Sequence, residues 1–142
     1  NKGVKGVFYG HFHKWDAMEH MQICKNIGWK PLEKAPKGSW VDYENCDMKF
    51  IDLRENIKFL KYGYGRATDQ LNIAIRNRRI SREDALEIVR VIDGDFSIDN
   101  RKEFCDYIGI TEEYFTRVVD GFVNTDLFKK KDGKWLPKFT RK

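Results

Sequence analysis

Residues 61–94 read KYGYGRATDQLNIAIRNRRISREDALEIVRVIDG, and this stretch decides the fold. Apolar residues recur in it three and four positions apart, as they do on the buried face of an amphipathic helix. Thr68 and Ser81 are of the residue types that cap helix N-termini, and Gly63 and Gly94 are typical helix stops. The stretch therefore predicts two short helices, one beginning at Thr68 and one after Ser81.

The same signals predict helices along most of the chain. Each begins at a residue whose side-chain oxygen can cap it, in several cases with an acidic residue three positions later. Most of them end at a glycine. The predicted helices run from Asp16 (with Glu19) to Gly28, from Asp52 (with Glu55) to Gly63, from Asp99 to Gly109, and from Thr111 to Phe122.

Two segments predict β structure. Residues 4–10 form an apolar and aromatic run bounded by glycines, which predicts a strand that feeds the first helix, half of an α/β unit. Asp132-Gly133 predicts a terminal hairpin. The expected fold class is mainly α, a short helical bundle that follows one strand–helix unit. The loop at residues 31–43, which holds two prolines, contains the predicted boundary.

The composition excludes several classes of protein. The chain has 142 residues, 41% of them hydrophobic, which suits one domain with a core rather than a disordered segment. No apolar run approaches the roughly 18 residues of a membrane helix, and we expect no signal peptide. Three widely spaced cysteines favour a reducing compartment, so a cytoplasmic location is expected. The chain begins with Asn1 rather than Met, so we expect a piece of a longer protein.

The net charge of +5 invites a nucleic-acid partner. Residues 129–142, however, contain seven lysines and arginines and a single aspartate, so the excess belongs to the tail. A basic tail is usually solvated. We therefore expect the tail to be dispensable for folding, and the charge does not by itself predict binding of nucleic acid.

The segment around the paired glycines is the most informative candidate site. Gly63 and Gly65 let the backbone turn tightly and approach a ligand, and the helix that follows offers free N–H groups to an anion. Lys61 and Arg66 add charge, and Arg76, Arg79 and Arg82 follow within or just after that helix; together they suit a phosphate or a carboxylate. Arg66 and Arg76 would lie roughly 15 Å apart along the helix. They would grip different parts of a long ligand, or one of them serves the fold; solvated arginines on a plain helix–turn–helix explain the pattern too.

Two further groups of residues suggest ligands less strongly. His11 and His13 lie where the predicted strand passes into a helix, a place where α/β proteins often bind ligands, so we regard them as candidate contacts. A zinc ion would need further ligands, and we predict no metal site. The acidic turn that begins at Asp93 has Ile98 and Phe104 where a calcium loop requires Gly and Glu, which indicates a polar turn between helices.

The sequence resembles the C-terminal region of the N-acetyl sugar amidotransferases, PP-loop ATP pyrophosphatase-like enzymes of bacterial surface-sugar biosynthesis. The resemblance is carried by residues 61–69, 75–86 and 93–94, with shorter similarities at 15–16, 28–31 and 109–113. The family has Gly where this chain has Arg78. The resemblance implies that residues 1–45 are the end of an α/β nucleotide-binding core, its last strand–helix unit. Residues 46–142 would then be a helical C-terminal domain with a basic tail.

The resemblance also implies a reaction. The family converts a sugar acetamido group to acetamidino in LPS O-antigen or nonulosonic acid biosynthesis, using ATP, with Mg²⁺, and ammonia from a partner glutaminase. The family's Ser-Gly-Gly-x-Asp-Ser nucleotide loop is absent from this sequence, so the chain is expected to be inactive alone. It would supply the part that binds the nucleotide sugar or nonulosonic-acid substrate. No catalytic residue is assigned; the substrate-binding candidates are Lys61, Tyr64, Gly65, Arg66, Thr68, Asp69, Arg76, Asn77 and Arg79.

Two other classes of function stay open at the level of sequence. PP-loop relatives include tRNA-modifying enzymes, so the chain could be an RNA-binding helical module, which salt-dependent RNA affinity would indicate. A helical domain that docks a partner subunit is the other alternative. A stable complex with a glutaminase would indicate that class.

Overall fold

The computed structural model describes residues 3–140, which form six helices and one hairpin. By contacts within the chain these fall into two units, residues 3–31 and residues 32–140. A 3₁₀ turn at Tyr9–His11 precedes the first helix. The elements are α1 (Ala17–Asn26), α2 (Ile51–Tyr62), α3 (Arg66–Arg76), α4 (Arg82–Ile92), α5 (Ile98–Ile108), α6 (Glu112–Asp120), β1 (Phe128–Lys131) and β2 (Lys134–Pro137). The expectation of a mainly helical fold is confirmed.

The first unit contains α1, which begins and ends as predicted. The Asp16 carboxylate accepts hydrogen bonds from the backbone N–H groups of Met18 (3.1 Å) and Glu19 (3.3 Å), as an N-cap does. Gly28 follows the helix with φ +96°, a value that favours glycine. None of the residues of α1 is buried.

The strand predicted at residues 4–10 is wrong. Residues 3–8 have no regular structure, and the run ends in the 3₁₀ turn. The large apolar side chains here are exposed, Phe8 to 90%. A strand needs a neighbour for its backbone hydrogen bonds. Within residues 3–140 the only sheet is the two-stranded β1–β2 pair, so this segment has no strand to pair with.

The second unit is built around two clusters of buried apolar residues. One joins α3 to α4 through Ala67, Leu71, Ala85 and Val89, with Trp40 from the preceding loop packed against it. The apolar residues that recur in residues 61–94 therefore form the contact between α3 and α4. The other cluster joins α2 to the hairpin; its buried members are Phe59, Leu60, Val123 and Phe128.

The C-terminal hairpin is part of the second cluster. Its two turn residues are Asp132 (φ +49°) and Gly133 (φ +75°), so the predicted Asp-Gly hairpin is confirmed. Phe128 is only 1% exposed, and Trp135 and Phe139 pack against the cluster. This packing contradicts the expectation of a solvated tail. The sequence was misleading because lysines outnumber the apolar residues of this segment. The few apolar residues are nevertheless the ones that hold the hairpin in place.

Besides Asp16, two further predicted caps are confirmed, and two are wrong, Thr68 and Asp52. Ser81 Oγ accepts the Asp84 N–H (3.0 Å), and Thr111 Oγ1 accepts the Tyr114 N–H (3.1 Å). Thr68 lies inside α3, which begins at Arg66 with Gly65 as N-cap. Asp52 likewise lies inside α2, 1% exposed. Its carboxylate accepts the backbone N–H of Ser97 at 2.7 Å, so it connects α2 to the start of α5, whose N-cap is Ser97 itself.

The turn after α3 places Arg78 in a backbone conformation that favours glycine. Arg78 has φ +58°, in the left-handed region that non-glycine residues adopt at a cost. The N–H of Arg79 then reaches back to the carbonyl of Ala74 at 2.9 Å, which closes the helix in the manner of a Schellman motif. The turn therefore forms although a non-glycine residue occupies its left-handed position.

Replacing Arg78 by glycine should stabilise the protein. The left-handed conformation costs an L-residue about 1–2 kcal/mol, and glycine loses about 0.5–1 kcal/mol in extra chain entropy on folding. We expect Arg78→Gly to raise the free energy of unfolding by about 0.5–1 kcal/mol in urea melts. Arg76→Gly, two residues earlier inside α3, is the control and should destabilise by up to about 1 kcal/mol. A loss of stability in both variants would contradict the assigned turn.

Candidate functional site

A cavity of about 460 Å³ lies between α3 and α4. Residues from one face of each helix line it, together with the turn after α2 and one residue that follows β2. The lining residues are Gly63, Tyr64, Thr68, Leu71, Asn72, Ile75, Arg82, Ala85, Leu86, Val89 and Phe139. Its size falls in the range of small-molecule sites, roughly 300–1,000 Å³.

The lining combines an apolar floor with a few polar groups. Leu71 and Val89 belong to the buried α3–α4 cluster, while Asn72 and Arg82 are exposed. Binding sites for small molecules commonly have this composition, in which apolar surface supplies affinity and few polar groups fix orientation. The arrangement follows from helix geometry, since residues three, four and seven positions apart share a face of α3.

The start of α3 interacts with a carboxylate of the protein itself, that of Asp93. The Asp93 carboxylate, just after α4, accepts the N–H of Gly65 (2.9 Å) and the N–H and hydroxyl of Thr68 (3.3 and 2.8 Å). The sequence predicted that an anion of a ligand would bind at this helix start. As predicted, the helix start attracts a negative charge. The two N–H groups, however, donate to Asp93 and so connect α3 to the end of α4.

Arg66 is part of a network that fixes the loop before α2. Its guanidinium pairs with Glu44, and the Gln70 amide donates to the same carboxylate at 2.9 Å. The Gln70 oxygen in turn accepts the Trp40 N–H at 2.7 Å. Gln70 is buried, so these hydrogen bonds are shielded from water. Arg66 thus has a structural partner, which matches the alternative that one arginine of the proposed pair serves the fold.

Lys58 contacts both Asp69 and Tyr64. The Lys58 ammonium pairs with Asp69 and lies 4.8 Å from the centroid of the Tyr64 ring. Burial works to lower the pKa of Lys58, but the hydrogen bond to Asp69 and the charge of Glu55 outweigh it and raise the pKa. Lys58 therefore stays charged, and it holds Tyr64 beside the cavity.

The remaining candidates from the sequence do not line the cavity. Lys61 is exposed on α2, with its ammonium 5.4 Å from the Tyr62 ring. Arg76, Asn77 and Arg79 are at the opposite end of α3 from Gly65. Of the nine predicted substrate-binding residues, Tyr64 and Thr68 line the cavity.

The histidine candidates belong to the first unit. His13 stacks on Tyr9 with ring centroids 4.4 Å apart, and His11 meets the edge of Phe12 at 5.0 Å. Across residues 3–140, no three His, Cys, Asp or Glu side chains are grouped so that they could hold a metal ion. In the same part of the chain, no helix is long and apolar enough to cross a bilayer.

Sequence reasoning missed the cavity residues Asn72 and Phe139, and it named Arg82 only among the arginines that could bind an anion. A signal existed for Asn72, which lies one helical turn after Thr68 and so on the same face. Arg82 begins α4, and only the pairing of the two helices brings it close. No pattern in the sequence connects Phe139 with α3.

The chain matches a family of bacterial surface-polysaccharide proteins. Residues 37–141 match "LPS biosynthesis protein WbpG-like, C-terminal domain". The match covers most of the chain, and the chain belongs to this family. It is therefore a C-terminal domain of the LPS-biosynthesis type, as the resemblance implied. No curated protein matches the chain.

Proposed function

We propose that the chain is the substrate-binding C-terminal part of an ATP-dependent N-acetyl sugar amidotransferase. The whole enzyme would convert a sugar acetamido group to acetamidino in LPS O-antigen or nonulosonic acid biosynthesis. The observation that carries the proposal is the family match over residues 37–141. Every residue that lines the α3–α4 cavity falls within this range. The binding surface and the family assignment thus concern the same part of the molecule.

The residues present do not fit ATP as a ligand of this chain. The sequence has no Ser-Gly-Gly-x-Asp-Ser loop, and the N–H groups of Gly65 and Thr68 at the start of α3 donate to Asp93. ATP, when bound elsewhere in the enzyme with Mg²⁺, would supply the activation of the acetamido oxygen. A glutaminase partner would supply ammonia. The task left for this chain is to hold the sugar and to exclude water from it.

Arg66 and Arg76 have different roles in this proposal. Arg66 pairs with Glu44 and supports the loop, whereas Arg76 is exposed at the end of α3. Arg76, with Asn77 and Arg79, would then contact a distal part of a long substrate such as a nucleotide sugar. The His11 and His13 rings, in the first unit, stay candidate contacts.

The test is a turnover assay of the full-length protein that contains this chain. ATP, an N-acetylated nucleotide sugar and ammonium chloride are supplied, and AMP and the acetamidino sugar are measured by chromatography and mass spectrometry. We expect both products in equal amounts, and neither when sugar is omitted. The 142-residue chain alone should give none. AMP release without amidine, across a panel of N-acetylated nucleotide sugars and nonulosonic acids, would refute the proposed reaction.

A further inference from the structure

We propose that the outer face of the C-terminal hairpin binds the protein to a membrane surface that carries anionic lipid headgroups. This face, hereafter the lysine face, consists of Lys129, Lys131, Lys134 and Leu136. The inference concerns a surface outside the α3–α4 cavity. It goes beyond the sugar reaction proposed above and does not depend on it.

The register of the hairpin brings these four residues to one side. Lys129 lies opposite Leu136, and Lys131 lies opposite Lys134. Residues directly opposite each other in an antiparallel pair share a face of the sheet, and so do residues two positions apart along a strand. All four side chains are exposed, that of Leu136 to 39%. The lysine face is therefore a continuous surface of three ammonium groups around one apolar side chain.

The opposite face of the hairpin attaches it to the rest of the second unit. Phe128 is buried in the cluster that it forms with α2, and Trp135 packs against that cluster. The Trp135 Nε1–H donates to Asp120 at 2.6 Å, and Lys130 pairs with the same carboxylate. These contacts fix the orientation of the hairpin. They also compensate the charge of Lys130, the one strand lysine that lies on this inner face.

The charge of the lysine face, in contrast, has no internal partner. Among residues 3–140, none of its three ammonium groups makes a hydrogen bond or an ion pair. Asp132, in the turn, is the single acidic residue between positions 128 and 140. Lys131 and Lys134 lie directly opposite each other, and like charges at such positions destabilise a sheet. An anionic surface outside the chain would relieve this repulsion.

The composition of the lysine face favours lipid over other polyanions. Proteins that bind single-stranded nucleic acid present aromatic rings on which bases stack, whereas Phe128 and Trp135 pack on the inner face. Protein–protein interfaces are depleted in lysine. Lysines around an exposed leucine suit a membrane interface, because ammonium groups are attracted to headgroup phosphates while apolar atoms enter the lipid.

Sedimentation with vesicles tests the inference on the 142-residue chain. One kind of vesicle is pure phosphatidylcholine, and in the other phosphatidylglycerol replaces part of it. A lysine close to an anionic membrane contributes about fivefold in affinity. We expect the chain to partition at least about tenfold more strongly onto the anionic vesicles at about 0.1 M salt, and to lose this preference at about 1 M salt, where the Debye length is about 3 Å.

Neutralising the lysine face should remove the preference without weakening the fold. The lysine-face variant, with Lys129→Gln, Lys131→Gln and Lys134→Gln together, should bind the two kinds of vesicle within about threefold of each other. Because it lacks the like-charge pair, its free energy of unfolding in urea melts should equal or exceed that of the parent chain. Circular dichroism checks that the variant is folded.

Two further variants distinguish the face from the net charge. The charge-matched control, with Lys25→Gln, Lys30→Gln and Lys102→Gln together, removes the same charge from exposed positions outside the hairpin. At least about half of the preference should remain in it, because screening limits the reach of distant charges. Leu136→Ser should weaken binding to the anionic vesicles by about threefold or more, since it removes apolar area that would leave water. The salt dependence should persist in Leu136→Ser.

Equal or absent partitioning of the parent chain onto the two kinds of vesicle would overturn the inference. A preference that survives in the lysine-face variant would do the same, as would equal losses in this variant and in its charge-matched control. If poly(U) RNA bound the chain more tightly than the anionic vesicles, and the lysine-face variant lost that binding, the face would bind nucleic acid instead of lipid. None of these measurements involves turnover of a sugar, so the failure of one proposal leaves the other standing.

Discussion

Gly94→Ala is expected to lower the free energy of unfolding by about 2–4 kcal/mol. Gly94 has φ +84°, and a Cβ there would run into the ring of Phe59. That ring cannot swing away freely, since it is part of the buried cluster and packs at 5.2 Å against Phe128. The left-handed backbone costs about 1–2 kcal/mol, and overpacking a filled core adds about 1–3 kcal/mol. Urea melts followed by circular dichroism give the difference.

Gly109→Ala is the matched control for this effect. Gly109 also follows a helix and has φ +73°, but a Cβ there would meet nothing within 4 Å. It should cost about 1 kcal/mol, the backbone penalty alone. Equal losses in the two variants would show that Phe59 does not press against Gly94.

Asp93→Ala is expected to cost about 3 kcal/mol. The substitution removes an ionised acceptor from three donors, two on the backbone and one on Thr68. Hydrogen bonds to a charged group contribute about 1.5–3 kcal/mol each and are not additive, and loss of a helix cap typically costs about 1 kcal/mol. The loss should appear in urea melts, and hydrogen exchange should accelerate in the first turn of α3.

Asp95→Ala provides the comparison two residues further on. The Asp95 carboxylate pairs with Lys37 at 3.0 Å, but both side chains are exposed. Such a pair contributes less than about 1 kcal/mol. If Asp93→Ala proved as mild as Asp95→Ala, the start of α3 would not depend on this carboxylate.

The sequence predicted the helices whose ends are set by nearby residues. Helix α4 begins at a cap that Ser81 supplies locally, and α5 ends at Gly109, so both were correctly predicted. The start of α3 was missed because its capping carboxylate, Asp93, lies 28 residues from Gly65. Asp52 was misassigned for the related reason that its carboxylate bonds the backbone N–H of Ser97, at the start of a helix other than its own. Local patterns cannot show such distant caps.

The candidate site was predicted in part. Tyr64 and Thr68 line the cavity, because the glycine-containing turn and the first turn of α3 are local features. Arg66 belongs instead to the network around Glu44, which depends on how a loop folds back on the helix. Arg82 and Phe139 join the cavity through tertiary packing alone, and the residue spacing of one segment does not contain that information.

The lysines of the hairpin bear on how the protein behaves at high concentration. A two-stranded sheet has an open edge on each strand, and open edges invite pairing with other chains. Here each strand has only four residues, and Lys129, Lys131 and Lys134 are exposed along them. A second copy approaching edge to edge would meet like charges. Repulsion therefore opposes aggregation through the hairpin, and it weakens as salt shortens the Debye length from about 10 Å at 0.1 M to about 3 Å at 1 M.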